Sequence, residues 1–487
     1  MGNVTAPTAS VATLLAELYY EELNGLERAE GGFASFERRV IELTHGLAAK
    51  AMGMALERLD KVVCAQLEEG FRIHDRRQRK LATLVGDVRF SYRRARDDMG
   101  GTAVPLADAL DIPWQARISP GAKAFLVEAG ADVSYLRAAR LLGRAGGSAV
   151  SATAVMLAMR EVGRLCQRED ELAAGGLYAD GVVPGGAVSA AEVCMEADGT
   201  WVALQGTAEG EPKKAEVKAM VAYSGKIKVG KKVRRESCVR HGCVGSPRQF
   251  WPQAVARLGQ RFDLSALESV HLGADGEGWC HSAAAYLPMR INVTGHLDPF
   301  HINRAVLSCF ADSKHAWNII EVMNDGGKDE AACLLEACID LGVARESVGR
   351  RVLAYLRNNA DLIDIEGPSL GTMESENQHL YKSRMAAVPC AWSRQGASDM
   401  ARIRSRVHSG SELPRRTRVQ SATARRRRRD RIREEKRYGE VCLSARQMVE
   451  SVGRGSLPKT ASVASCAADV RRIANVDGGM AGILLKG

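Results

Sequence analysis

SVHLGADGEGWCHSAAAYLPMRINVTGHLD, residues 269–298, reads as strand, helix, strand. SVHLGADG is a short apolar run that ends on Asp-Gly. GWCHSAAAYL suits a helix, and MRINVTGHLD is a second run that ends on Asp298 before a proline. A helix between two strands implies a parallel crossover. Upstream, VCMEADGTWVALQG (193–206) and AEVKAMVAYSG (215–225) read as two more strands, joined through turn residues Glu209–Pro212. GKIKVGKKVRRE, with Lys231 and Lys232, follows as a basic hairpin or loop. Downstream, 301–367 is helical, and another helix starts near Gly371. The pattern predicts an α/β sheet over 193–300, an all-helical insertion over 301–367, and completion of the sheet domain by 368–410.

The N-terminal part is mostly helical. Phe36, Val40, Leu43 and Leu47, then Leu56, Leu59, Val63 and Leu67, recur at helical spacing. This predicts one long helix, or two joined near Gly53, that packs into a core or dimerises. Residues 71–99 read as short basic strands. Helical patterning returns at 118–164, and SYLRAARLLGRAGGSAVSATAVMLAMREVGR has the form helix, glycine turn, helix. Ser151 suits an N-cap of the second helix. The spacing matches a helix-turn-helix over 133–164, whose second helix, with Ser151, Thr153 and Arg160, would enter the major groove. A helical hairpin that only packs has the same pattern. AAGGLYADGVVPGGAVSAAE, residues 173–192, reads as a linker. These divisions give an N-terminal helical region (1–70) and a DNA-binding domain (71–172) ahead of the linker.

The length of 487 residues allows two to four domains. No basic segment followed by an apolar core opens the chain, and no run of about 18 apolar residues occurs, so a cytoplasmic, nucleoid-associated protein is expected. Twelve cysteines are scattered through apolar runs, as free thiols in a reducing compartment would be. Cys238, His241 and Cys243, with Cys280–His281, match none of the usual zinc spacings, which favours free thiols and a loop histidine. The net charge is +10, and residues 411–438 carry +8 of it. Arg425, Arg426, Arg427, Arg428 and Arg429 are consecutive. This predicts a DNA-contacting arm over 411–440, followed by a tail over 441–487. Such an arm holds phosphates and does not read sequence.

Four acids stand at informative places. Asp198 lies in MEADGTW, Asp275 ends one strand, Asp298 ends the next, and Glu374 opens the helix of GTMESENQHLYKSRM. Sites in open α/β sheets collect at the carboxyl ends of strands. Phosphodiester chemistry uses two divalent cations about 3.5–4 Å apart, and magnesium takes hard carboxylate oxygens. Any one Asp-Gly is equally a turn; the combination points to a metal site. Glu374, Asn377, Tyr381 and Arg384 share one α-helical face, which would let Asn377 and Arg384 support the metal or bind phosphate. Glu376 would point elsewhere. Trp279 and Trp392 would stack on unpaired bases or fill a core.

LVGDVRFSYRR, ISPGAKAFLVEAGADVSYLRAA, MEADGTWV, HLGADGEGW, LDPFHINRA, GTMESENQHLYKSRM and AWSRQGASDMARI occur in that order over about 35–405. In these stretches the chain resembles the ISLre-type family of bacterial insertion-sequence transposases, long catalogued as an uncharacterised protein family. It is distantly similar to Mutator-like DDE transposases. The resemblance implies an RNase H-like catalytic domain, two Mg2+ ions (Mn2+ substituting), double-stranded DNA as partner, and a homodimer or higher homo-oligomer. It implies Asp198, Asp275 and Glu374 as catalytic metal ligands. Asp298 and His301 stand where those relatives carry a Cys/His pair, as accessory residues that support the metal ligands or position DNA; with Asp298 taken as a catalytic acid, the other triad is Asp275, Asp298 and Glu374. A DNA-binding descendant without catalysis and a nuclease without strand transfer are the rival functions.

Overall fold

The computed structural model describes residues 32–415, apart from short gaps at 68, 99, 207, 231, 364–367, 369, 388 and 389, and a few helical positions between 13 and 24. The apolar spacing after Phe33 is realised as one helix, Gly32–Ala65. Gly53 does not break it. A Cβ there would lie 2.5 Å from the Arg89 carbonyl oxygen, so the glycine lets a strand pass close to the helix. β1 (Phe71–Thr83) and β2 (Gly86–Asp97) follow, with β3 (Thr102–Ala103) beside β2. The short strands expected over 71–99 are therefore two long ones. By contacts the chain divides into two units. The smaller contains 62–75 and 93–110, and within it Arg94 Nε donates to Asp75 at 2.7 Å. The larger contains the remaining described residues up to 415 and holds every acid of interest.

The main sheet of the larger unit uses β4 (Glu192–Ala203) and β5 (Lys214–Tyr223). The basic segment after β5 is a hairpin of its own, β6 (Gly225–Val229) and β7 (Lys232–Glu236). The sheet continues with β8 (Val239–Cys243), β9 (Ser269–Ala274) and β10 (Asn292–Leu297). Its order is β10-β9-β4-β5-β8. β5 runs antiparallel to both of its neighbours, β4 and β8, whereas β9 and β10 run parallel to β4. The expected parallel crossover is present, through helix Gly278–His281 and a 3-10 turn, Ser282–Tyr286.

Period-two alternation gives each strand two faces. Val193, Met195 and Ala197 of β4 join Met220 and Ala222 of β5 in one core, covered by Phe250, Trp251 and Leu258 of helix Pro247–Arg261. Val202 joins Val217, Ala219, Val221 and Tyr223 in the other. That second core is filled by Leu126 of helix Pro120–Asp132, Met159 and Cys166 of helix Ala152–Tyr178, and Met400 and Ile403 of helix Arg394–His408. Residues 299–358 fold as four helices around their own core of Ile302, Ile319, Leu335 and Leu353.

Two expectations are corrected here. The stretch 173–192 does not separate compact units, because residues 111–415 lie in one. Its first part continues helix Ala152–Tyr178, which is the second helix of the expected helix-turn-helix. That helix buries Val155, Met159, Val162 and Cys166 in the second core, among the neighbouring helices, and leaves Thr153, Leu157, Arg164 and Arg168 outside. His241, expected in a loop, lies in β8 and is buried.

Charges hold this helix to the sheet unit. Arg402 Nη1 donates to Asp170 Oδ2 at 2.5 Å, and Arg406 Nη2 to Asp170 Oδ1 at 2.7 Å. All three residues are buried, and a buried charge of this kind persists only when paired. His241 Nδ1 lies 3.9 Å from Asp170. Burial outweighs the pull of Asp170 and pushes the imidazole down to about 3. Its folded value is below its unfolded value, so the stability it contributes is present above pH 6.5 and is lost as pH falls toward 3. His241→Gln is therefore expected to flatten the acid limb of stability. Between pH 7 and 4.5, urea unfolding should show wild type losing about 2 kcal/mol more than the variant. Equal losses in both proteins would remove His241 from the account.

Candidate metal centre

Strand register lines up three aspartates. β4 pairs β9 up to Glu196 opposite Gly273, so two residues further Asp198 is level with Asp275. β9 pairs β10 up to Ala274 opposite Leu297, which puts Asp275 level with Asp298. The Asp298 amide donates to the Ala274 carbonyl at 2.7 Å and closes that row. All three lie at the carboxyl ends of parallel strands or, for Asp198, level with those ends.

Glu374 comes from a distant segment and is held by a residue that the sequence reading did not single out. Glu196 lies two residues before Asp198 on the same face of β4, and is buried. Its Oε2 accepts the backbone N–H groups of Gly371, Thr372 and Met373 at 2.9, 2.6 and 3.2 Å. Its Oε1 accepts the hydroxyls of Thr372 and Tyr223 at 2.5 and 2.6 Å. One carboxylate thus binds the orphan donors at the start of the helical segment that carries Glu374. Gly371 has φ +91°, and a Cβ there would lie 3.3 Å from Asp298 Oδ1. A glycine makes that approach possible.

The segment opens as helix Met373–Glu376, continues as a π turn, Asn377–Lys382, and ends as Ser383–Met385. An α turn takes about 3.6 residues and the wider π turn about 4.4, so two turns bring residue 382 under residue 374. Lys382 Nζ accordingly donates to Glu374 Oε1 at 3.1 Å. Asn377, fully buried, donates from Nδ2 to Asp198 Oδ2 at 2.6 Å. The π turn also moves the later residues off the expected face. Tyr381 is buried and bonds the Ser405 hydroxyl at 2.8 Å. Arg384 lies over the Tyr135 and Trp392 rings at 5.4 and 5.3 Å, not beside the acids. Glu376 pairs with Arg235 and with Arg240 at 2.6 Å, away from the aspartates.

Asp298 caps helix Pro299–Ser308, its Oδ1 accepting from the Phe300 amide at 2.9 Å. The cap swings His301 inward. One ligand atom each of Asp198, His301 and Glu374 lies within 4.8 Å of the others. Asp275 stands outside this tightest group, with Oδ1 accepting from the Glu277 amide at 2.9 Å. Its charge still reaches Asp198. Burial first, then Asp275, pushes the Asp198 carboxyl up to about 6, against the hydrogen bonds of Gly199 and Asn377. Burial also raises Asp298, with Glu196 and Glu374 adding to it. Acids held together at this cost form a donor set suited to a hard divalent cation.

The other expected residues are scattered. Ser151 is an N-cap, its Oγ accepting from the Ala154 amide at 3.1 Å. Thr153 is exposed, and Arg160 lines a cavity of about 310 Å³ with Tyr135, Trp392 and Asp399. Lys232 lies in β7; Lys231 and Arg425 to Arg429 lie outside the described residues. Trp392 is in the core, and Trp279 packs on Phe250 and Trp251 with Lys218 Nζ 4.1 Å above its ring. Glu196 could have been found as a charged residue at an inward position of an apolar strand. Lys382 could not, because its placement depends on the π turn.

The family model described as Uncharacterised protein family (UPF0236) matches residues 30–421. Two UPF0236 proteins of Caldanaerobacter subterraneus subsp. tengcongensis are each 24% identical over 391 residues, covering 77% of this chain and 78% and 74% of the relatives. A third, 23% identical over 392 residues and covering 77% of this chain and 78% of the relative, has a name that joins eleven loci of that bacterium. Among the described residues, no helix is long and apolar enough to cross a membrane.

Glu196→Gln replaces an oxygen that accepts buried N–H groups with a donor or leaves a hydroxyl unpaired. The expected loss is about 2–4 kcal/mol of unfolding free energy, read by denaturant titration at pH 7. A loss below about 0.5 kcal/mol would mean that the carboxylate does not hold the segment.

Proposed function

The chain belongs to the uncharacterised protein family UPF0236, and we propose that it is a DDE-type DNA transposase, cutting strands at insertion-sequence ends and joining the 3′-hydroxyls to target DNA. The observation that carries this reading is the convergence of Asp198, Asp275, Glu374 and His301, from four separate segments, on one end of the sheet. The sheet supports an RNase H-like domain: three antiparallel strands, then two strands parallel to the first, with Asp198 on that first strand. A relative whose name joins eleven loci fits a gene that multiplies within a genome.

Asp198, Glu374 and Asp275, with His301, would hold the divalent ions. Bound there, a pair of divalent ions would supply the activation of a water or 3′-hydroxyl and the charge that stabilises a leaving oxygen. The chain's own contribution is placement. Gly199 N–H and Asn377 Nδ2 each hold one Asp198 oxygen, at 2.6 Å, which fixes the carboxylate rotamer. Lys382 holds one oxygen of Glu374. Burial of Asp198 and Asn377 keeps water from competing for these contacts. No covalent protein–DNA intermediate enters the scheme, so no serine or tyrosine nucleophile is required. Phosphate contacts would fall to the basic hairpin, with Lys226 and Lys228, to the outer face of helix Ala152–Tyr178, and to the arginine arm.

The test is Mg2+- or Mn2+-dependent cleavage of a duplex carrying the repeats that flank the gene. Wild type should nick at the ends and join them to added target DNA. Asp198→Ala, Asp275→Ala and Glu374→Ala should each lower cleavage by at least about 1,000-fold while duplex binding stays within about threefold. Cleavage without joining would identify a nuclease. Binding of the ends without cleavage under either metal would identify a DNA-binding protein and overturn the enzyme reading.

A further inference from the structure

We propose that His301 is a direct metal ligand, which makes this centre a mixed nitrogen–oxygen site that prefers cobalt(II) to magnesium. The inference rests on the reading of the site as a metal centre and adds to it which ion is held and by what. The tightest group of donor atoms is not the three acids. It is Asp198, Glu374 and a ring nitrogen of His301, all within 4.8 Å of one another. Ligands about 2.0–2.2 Å from one ion lie at most about 4.4 Å apart, so a contraction of a few tenths of an ångström closes the shell.

Other contacts orient the same three groups without using them up. Asp198 is steadied by Gly199 and Asn377, and Glu374 by Lys382. His301 lies in the first turn of its helix, its amide bonded to the Asp298 carbonyl at 3.0 Å. The Phe300 ring meets the imidazole edge-on, with centroids 5.4 Å apart, and Ile302 anchors the turn in the core of the helical insertion. Among the described residues, Asp198, His301 and Glu374 make no hydrogen bonds to one another. One donor atom of each therefore lies within reach of a common point, and none of the three is bonded to another. Asp275, outside the group, remains for a second ion. Imidazole is a poor ligand for magnesium, which takes hard oxygens, and a good one for the later first-row divalent metals.

The experiment uses the full-length protein stripped of metal and titrated with Co2+ or Mg2+ by calorimetry, with Co2+ also followed by visible absorption. Wild type should bind Co2+ on the order of 100-fold more tightly than Mg2+. His301→Ala should weaken Co2+ by about 10- to 100-fold, change its visible bands, and weaken Mg2+ by less than about threefold. Added free imidazole should restore part of the Co2+ affinity of the alanine variant. His301→Gln, which keeps bulk and polarity, should behave like His301→Ala and settles the matter if the alanine variant does not fold. Unchanged Co2+ affinity and spectrum in folded variants would overturn the proposal. If those variants bind Co2+ normally while wild type cuts DNA, the ligand assignment fails and the transposase reading stands. If they lose Co2+ while wild type never cuts, the ligand assignment stands and the transposase reading fails.

Discussion

The Glu196 carboxylate is the point on which the rest of the site depends. A strand and a helical segment 175 residues further on must meet with ångström accuracy, and neither can do so by apolar packing alone. Glu196 provides the meeting point by accepting three successive backbone N–H groups and two hydroxyls. Charge-assisted bonds of this kind are directional as well as strong. Because Glu196 and Asp198 share a face of β4, the same strand both holds the Glu374 segment and supplies the acid that faces it.

Much of the fold was legible because the signals were local. Strand periodicity located β4, β5, β9 and β10, and the run of helical patterning located the insertion. Strand β8 and helix Pro247–Arg261 were missed. VRHGC is short and polar, and the helix contains Pro252 and little amphipathic contrast because it is buried all round. The acids Asp198 and Glu374 were found from their contexts, and the structure brings them together with His301. Arg384 was misplaced because α spacing was assumed where a π turn intervenes. Asp298 was weighed as a catalytic acid, and its observed contact is a helix cap, which sequence cannot distinguish from a strand-end ligand.

The arginine run that draws attention by number lies, beyond Arg415, outside the described residues, and the arginines seen to build the fold are others. Arg402, Arg404 and Arg406 lie two apart on one helix and are all buried. Arg402 and Arg406 share Asp170, and Arg404 caps the carbonyls of Ala131, His379 and Leu380. A guanidinium presents five donors in a fixed fork, enough to satisfy several helix ends at once. This is why residues 152–172, read as part of a separate binding domain, are bound into the sheet unit. Any DNA that meets their outer face meets a surface rigidly tied to the acids.

The π turn at Asn377–Lys382 divides one helical segment between two tasks. One extra residue in a helix is a rotation of about 100° for everything that follows. Before it and at its first residue, Glu374 and Asn377 point toward Asp198; near its end and after it, Tyr381 and Arg384 point into the helical layer. The two tasks stay linked through Lys382, whose ammonium reaches back from the end of the π turn to Glu374, so a change in the packing of the helical layer is felt at the aim of the acid.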